Sequence, residues 1–507
     1  MSEGKVWLVG AGPGDVGLLT RKAEKVLKRA DVVVYDRLVG DGILAMIPEE
    51  ARAIDVGKNA GHHTKKQEEI NRILLIEAQK GNRVVRLKGG DPFLFGRGGE
   101  ELELLAENDI PYEIVPGVPS PIAVPAYNGI PVTHRDYCSS VHFITGHKKA
   151  DEEYDIDFDA LVRTKGTLVF LMGLGALDDI CKGLLDADMD PGMPAAVLQQ
   201  GTTAGQKRVM ATVSTLPDIA KREEIETPAL IVVGKVCELS EKFEWYEKLP
   251  LSGYKVVITR PRGLNSKSAE KLRRRGAEVI ELPAIRTEVI PDNKRLSECI
   301  QNLKSYQWIA FTSTTGVQVF FEAMAREHCD IRNLIRCRVA AVGRATQRAL
   351  AQCGLFADLV PDVSDGESLG AKLAGVCGPY DKILLPRAEG GGSEIIEEIR
   401  KRADLVVDDV SIYTTTYIKS KDLDERILFE TGKVDCAVFT SASTVKGFVE
   451  AAEGLDYSLV TAACIGKQTK AAADACGMKT YMAKKATMDS LVDLVIELKR
   501  RKQKGSQ

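Results

Sequence analysis

The chain is 507 residues long, 44% hydrophobic and 28% charged, a make-up that fits a globular protein of roughly two to four domains. Its 69 lysines and arginines against 72 aspartates and glutamates leave a net charge of −3, which argues against a dedicated nucleic-acid binder. The eleven cysteines form no C-x-x-C pair and the six histidines no H-x-x-x-H pair, so neither a disulfide framework nor a metal site is expected, and the setting reads as reduced and cytoplasmic. The opening apolar run, Val6 to Gly10, is too short for a signal peptide, and no run approaches a membrane span.

Lys5 to Val9 reads as a strand, Gly10 to Asp15 as a glycine-rich loop, Leu18 to Leu27 as a helix face, and Ala30 to Asp36 as a second strand ending in a carboxylate. Gly12, Gly14 and Gly17 fit G-x-G-x-x-G, and Asp36 lies where a dinucleotide fold places its ribose-binding acid, so an NAD-dependent oxidoreductase is one reading. Pro13 weighs against it, because proline removes an N–H where a pyrophosphate would need one. A second glycine-rich loop, Gly89-Gly90-Asp91-Pro92 through Gly98-Gly99-Glu100, follows the strand Asn82 to Val85 and precedes a helix from Glu100 to Glu107. Ligands of α/β proteins sit beyond the carboxyl ends of strands, and Asp91 there has acceptors for ribose hydroxyls or an amine. Between the loops a helix is expected from about Thr64 to Gln79. Further strands end at Thr145-Gly146, Met172-Gly173 and Val233-Gly234, with a turn at Gly201-Thr202-Thr203.

Lys235 to Leu251 reads as a linker with a short helix, and Lys255 to Pro261 starts a new α/β series. This second half repeats itself. Trp308 to Ser313 recurs as Cys436 to Ser441, and Gly343-Arg344-Ala345-Thr346 with Gly354 recurs as Gly466-Lys467-Gln468-Thr469 with Gly477. Such self-similarity implies two like lobes. Their Thr-Ser strand ends suit either anion binding or simple helix capping.

The first-half motifs, Val9 to Asp15, Tyr35 to Val39, Gly89 to Pro92 with Phe95 to Glu100, and Gly129-Ile130-Pro131 with Thr133-His134-Arg135, stand together in order. They resemble uroporphyrinogen-III C-methyltransferases of the tetrapyrrole methylase family, over about residues 1–240. The resemblance implies two α/β subdomains, a homodimer through this domain, and S-adenosylmethionine as methyl donor with S-adenosylhomocysteine as product. It places cofactor contacts at Pro13, Gly89, Gly90, Asp91, Leu94, Pro119, Ser120, Met172, Gly201 and Ala229, and a base and acid at Asp36 and Lys58. Pro119 and Pro121 stand where that family usually has small residues. Arg37, His62, His63, Arg97 and Arg135 are the cations available to a polycarboxylate substrate, arginine by bidentate pairing. Local ion pairs or a solvated loop are their plain alternatives.

The second half, through Thr259-Arg260-Pro261, the two Phe-Thr-Ser strand ends, Gly343, Pro386-Arg387-Ala388, Tyr413, and Gly466 with Thr469, resembles uroporphyrinogen-III synthases. The resemblance implies a two-lobed α/β fold without a cofactor. Tyr413 falls at the family's candidate acid, while Thr259, Arg260, Thr312, Ser313, Thr440, Ser441 and Thr469 are candidate substrate grips. The expected organisation is a methyltransferase at 1–245, a linker at 246–252, and a synthase at 253–507 with lobes at about 253–286 plus 414–507 and 287–413. The expected function is cyclisation of hydroxymethylbilane to uroporphyrinogen III with ring D inversion. Two methylations then give precorrin-2, toward siroheme or cobalamin. A methylase of later corrinoids and a non-catalytic ligand-binding second half are the remaining alternatives, and no nucleic acid or membrane partner is expected.

Overall fold

The computed structural model describes residues 4–57, 66–146, 156–261, 267–417 and 425–505, without the side chains of residues 260–261, 283–285 and 425. It divides into two compact units, Met1–Ala284 with Lys419–Gln507, and Ile285–Ile418.

The first unit opens with an all-parallel sheet of β1 (Lys5–Gly10), β2 (Val32–Tyr35), β3 (Arg52–Asp55), β4 (Arg83–Lys88) and β5 (Tyr112–Val115), in the order β3-β2-β4-β1-β5. Valines and leucines dominate β1, β2 and β4 because helices cover both faces of such a sheet. One layer packs Leu27 and Ile43 against Val9, Val33 and Leu87; the opposite layer packs Ile70, Leu74 and Leu105 against Val6, Val34 and Val84. The covering helices include α1 (Arg21–Leu27), capped by the Thr20 hydroxyl, α2 (Asp41–Leu44), α3 (Gln67–Gln79) and α4 (Gly98–Glu107).

Helix α5 (Ser120–Tyr127) leads to a mixed sheet of β6 (Val141–Thr145), β7 (Thr167–Leu171), β8 (Pro194–Gln199), β9 (Lys207–Thr212) and β10 (Ala229–Val233), ordered β6-β7-β10-β8-β9. Pro119 is the N-cap of α5 and Pro121 lies in its first turn, where fixed φ suits a helix start and a missing N–H is harmless. The two prolines that depart from the family pattern therefore start this helix. Residues 246–252 are packed rather than loose: Tyr246 and Leu251 are buried, and the Trp245 and Tyr246 rings lie 5.0 and 4.9 Å from that of Tyr127.

The same unit also contains β11 (Lys255–Pro261), the start of β12 (Glu278–Val289), and three later strands, numbered in chain order β17 (Cys436–Phe439), β18 (Thr461–Cys464) and β19 (Lys479–Met482). β11, β17, β18 and β19 are parallel. The second unit contains the end of β12 with β13 (Trp308–Phe311), β14 (Arg338–Ala341), β15 (Lys382–Ala388) and β16 (Val406–Tyr417), where β14-β13-β15-β16 run parallel. The sequence repeat is visible as structure. β13 and β17 are fully buried and each runs into a helix capped by a serine, Ser313 or Ser441; β14 and β18 each run into a helix that starts after a glycine, Gly343 or Gly466.

Candidate functional site

The two glycine loops of the first half are hydrogen-bonded to each other. Gly12 N–H donates to the Gly90 carbonyl at 3.1 Å, and Gly90 N–H donates to the Gly12 carbonyl at 2.7 Å. A third loop closes on them: a Cβ on Gly117 would sit 2.1 Å from the Gly90 oxygen, and one on Gly10 would sit 2.5 Å from Gly117. Only glycine permits this approach. The G-x-G-x-x-G spacing does not open an α-helix here; its last glycine, Gly17, falls inside a short 3-10 turn, Val16–Leu18, and α1 starts only at Arg21. That removes the helix N-terminus on which a dinucleotide pyrophosphate would rest.

Above these loops lies a cavity of about 900 Å³. All ten residues expected to contact a cofactor line it, from Pro13 and the Gly89-Gly90-Asp91 turn with Leu94, through Pro119 and Ser120, to Met172, Gly201 and Ala229. Asp36, Arg37 and Arg97 line it too. Asp91 has a positioning role. Its Oδ1 accepts from Phe93 N–H at 2.8 Å and its Oδ2 from Gly117 N–H at 3.0 Å, so one carboxylate fixes two walls. Arg97 forms a bidentate pair with Glu100 at 2.8 and 2.6 Å, while Arg37 is exposed and has no ion-pair partner among the described residues. Arg135 is exposed and does not line the cavity. Lys58, His62 and His63 lie outside the described residues.

Two features of this site go beyond what the sequence shows. Phe95, Arg97, Met172 and Gln200 line the cavity with φ of 54°, 56°, 56° and 43°, a left-handed conformation that side-chain-bearing residues rarely hold except where a site requires it. At the cavity wall, Arg86 and Lys88, two positions apart on β4, converge on Glu101 of α4, and Lys88 itself lines the cavity. The Glu101 Oε1 accepts from Arg86 Nε at 3.1 Å and from Lys88 Nζ at 2.7 Å. Arg86 Nη2 also reaches Asp36 Oδ2 at 3.3 Å, so the expected base is held by the same cluster. Burial lowers the Lys88 pKa from the ordinary lysine value, repulsion from Arg86 lowers it further, and Glu101 opposes both. A cation pair spaced by two on one strand is visible in the sequence; its partner on α4 is not.

In the second unit, Tyr413 on β16 is buried and its hydroxyl lies 2.9 Å from that of Ser313. Ser313 Oγ also accepts from Gly316 N–H at 2.8 Å, capping its helix. Burial raises the Tyr413 pKa above the ordinary phenol value, opposed by the Ser313 hydrogen bond. Thr312 is half-buried beside it. Arg387 forms a two-point pair with Asp409 at 2.6 and 2.8 Å, which accounts for it as structure. In the first unit, Ser441 caps its helix through Thr444 N–H at 3.3 Å and lies 2.8 Å from the Ser443 hydroxyl. Thr440 is half-buried and Thr469 buried. Thr259 is fully buried, with its hydroxyl oxygen unpartnered among the described residues, and the Arg260 side chain lies outside them. Among the described residues there is no group of side chains able to hold a metal, and no helix is long and apolar enough to cross a membrane.

Residues 5–217 match the family model for tetrapyrrole (corrin/porphyrin) methylases, and residues 266–493 match that for uroporphyrinogen-III synthase HemD. The porphyrin biosynthesis protein HemD of Ruminiclostridium josui is 45% identical over 498 residues, covering 98% of this chain and 99% of that protein. A uroporphyrinogen-III C-methyltransferase of Bacillus subtilis is 52% identical over 244 residues, 48% of this chain and 95% of that one. Among solved structures, the uroporphyrin-III C-methyl transferase of Thermus thermophilus complexed with S-adenyl homocysteine matches at 41% identity over 46% of this chain and 99% of that chain, with a TM-score of 0.40. The chain belongs to the family of tetrapyrrole-biosynthesis enzymes that join a uroporphyrinogen-III C-methyltransferase to a uroporphyrinogen-III synthase, and it carries both activities.

Proposed function

We propose that the synthase half, residues 253–507, closes hydroxymethylbilane to uroporphyrinogen III. The methyltransferase half, residues 1–245, then methylates this product twice to precorrin-2, for siroheme or cobalamin. The observation that carries the site assignment is the convergence of all ten expected cofactor residues on one cavity. That cavity fits S-adenosylmethionine: it has room, glycine walls that a Cβ would fill, and a carboxylate-braced turn at Asp91. When bound, the cofactor supplies an electrophilic methyl group.

The chain's own residues do the rest. The Gly12 and Gly90 backbones, which line the cavity, approach the bound group, and Met172 and Leu94 offer it apolar contacts. Asp36, oriented by Arg86 and by Leu38 N–H at 3.1 Å, accepts the proton that the cationic methylated macrocycle loses from a neighbouring bridging carbon, since the methylated carbon itself becomes quaternary and holds no hydrogen. Arg37 receives a substrate carboxylate. Lys58 is the acid that the resemblance implies, and the His62-His63 pair is a further candidate for the substrate carboxylates. In the synthase half, Tyr413 donates the proton that leaves with the hydroxyl of hydroxymethylbilane. Thr259, Arg260, Thr312, Ser313, Thr440, Ser441 and Thr469 grip its carboxylates, and no cofactor takes part. Eleven free cysteines suit a cytoplasmic protein, and the methyltransferase half pairs as a homodimer.

Incubation with hydroxymethylbilane and S-adenosylmethionine, followed by mass analysis, tests the whole reading. The expected product carries two added methyls. Formation of only the type I isomer would overturn the synthase assignment, and thermal stabilisation by NAD but not by S-adenosylmethionine would overturn the cofactor.

A further inference from the structure

One wall of the methyltransferase cavity comes from the other half of the chain. Gly253, Lys255, Glu278, Gly432, Lys433 and Asp435 line it, and all belong to the same compact unit as the methyltransferase residues. The wall is fastened to two cavity loops. Lys255 Nζ pairs with Asp41 Oδ2 at 2.7 Å and with Glu278 Oε1 at 2.8 Å, and its side chain is only 13% exposed. Glu278 Oε2 accepts from Ala204 N–H at 2.8 Å, in the β8–β9 hairpin that carries Gly201. Asp435 is held as well, by Lys255 N–H at 2.7 Å and Lys502 Nζ at 2.6 Å. Among the described residues every charge on this wall is matched except one: Lys433 is exposed and has no hydrogen-bond or ion-pair partner there.

Resting on the methyltransferase reading of this cavity, we propose that Lys433 is a substrate-binding residue of the methyltransferase supplied by the synthase half. Its ammonium receives a peripheral carboxylate of the polycarboxylate tetrapyrrole, and its counterpart from the first half is Arg37, the other cation of the cavity that is unpaired among the described residues. The two halves are then more than tethered, because the second completes the substrate grip of the first. Lys433 takes no part in methyl transfer or in cofactor binding. Its loss therefore acts on substrate affinity alone.

The test is steady-state methylation of uroporphyrinogen III by the full chain carrying Lys433→Glu, Lys433→Met or Lys433→Arg. Charge reversal should raise KM about fivefold and the neutral variant about threefold, the range of an exposed charge pair, with Lys433→Arg close to wild type. kcat and the dissociation constant of S-adenosylmethionine should stay unchanged, and the KM difference should shrink at high salt. The synthase rate is the folding control and should hold in all three variants. An unchanged KM in Lys433→Glu, in a preparation whose wild type methylates normally, would overturn the inference alone. Failure of the wild type to methylate uroporphyrinogen III would overturn the reading of the cavity and this inference with it.

Discussion

Lys88 donates to Glu101 across 2.7 Å where neither is solvated: Lys88 is 5% exposed and Glu101 is 0% exposed. Arg86 shares the same carboxylate oxygen. Removing the carboxylate leaves two buried cations facing each other, so Glu101→Ala should cost about 3–5 kcal/mol of stability. The exposed neighbour pair, Arg97 with Glu100, has half-solvated side chains, and Glu100→Ala should cost no more than about 1 kcal/mol. Urea unfolding followed by circular dichroism checks both. Equal losses in the two variants would contradict a buried cluster at the cavity wall.

Glu113 on β5 gives a pH-dependent contribution of known sign. Hydrogen bonds from Lys22 and Lys5, with burial opposing, bring its pKa from 4.5 down to about 2. A carboxylate depressed on folding stabilises above its unfolded value, and that contribution is lost as the pH falls through the folded one. Stability should therefore decline from pH 4.5 toward pH 2. Glu113→Gln should flatten that limb and cost about 1 kcal/mol at neutral pH, because the side chain is still partly solvated. Thermal melts at pH 7, 4.5 and 2.5 measure the difference; parallel curves for the two proteins would sink it.

The parts legible in the sequence share a local signal. The β1 loop and the Gly89 loop were readable because glycines at a strand end are unusual and close together. The lobes of the second half were readable because Phe311-Thr312-Ser313 and Phe439-Thr440-Ser441 repeat with their capping serines. What escaped needs partners far apart in sequence. Nothing in Arg86-Leu87-Lys88 distinguishes a solvated basic strand from one paired to Glu101, and nothing in Lys255 or Lys433 tells that they face a cavity formed by residues 12 to 230. The same limit explains Asp91: its residue type suggests a ligand contact, while its two backbone hydrogen bonds make it a brace between loops. It also explains why Ser313 and Ser441 remained open between anion grip and helix cap, a choice that only the positions of Gly316 and Thr444 could inform.

Asp91→Ala should therefore act on the cofactor through the loops. Phe93 and Gly117 N–H groups would lose their acceptor; the exposed Phe93 N–H can turn to water, while the partly buried Gly117 N–H carries a cost of about 1–3 kcal/mol. S-adenosylmethionine should bind at least about tenfold more weakly. Because Asp91 lies at the cavity and none of its bonds reaches a synthase candidate residue, the synthase rate should stay at wild type. Isothermal titration with S-adenosylmethionine and a synthase assay on the same preparation separate the two. Parallel loss of both activities would mean that Asp91 supports the fold beyond its own half.

Tyr413 provides the sharpest test of the synthase site. Burial holds its phenol protonated beyond the ordinary range, and the Ser313 hydroxyl 2.9 Å away fixes its direction. A buried, protonated and oriented phenol is a competent proton donor for the departing hydroxyl of hydroxymethylbilane. Tyr413→Phe should lower kcat for uroporphyrinogen III formation by about 10²-fold, at the low end of general-acid contributions. KM should change little, since the ring that shapes the pocket remains. Because the raised pKa keeps the proton in place, the wild-type rate should show no alkaline fall assignable to Tyr413 between pH 7 and about 9.5. Ser313→Ala should lie between the two, since it frees the phenol from its fixed direction without removing it. A Tyr413→Phe enzyme with wild-type kcat would remove the tyrosine from the chemistry and leave substrate folding and the carboxylate grips as the source of the rate.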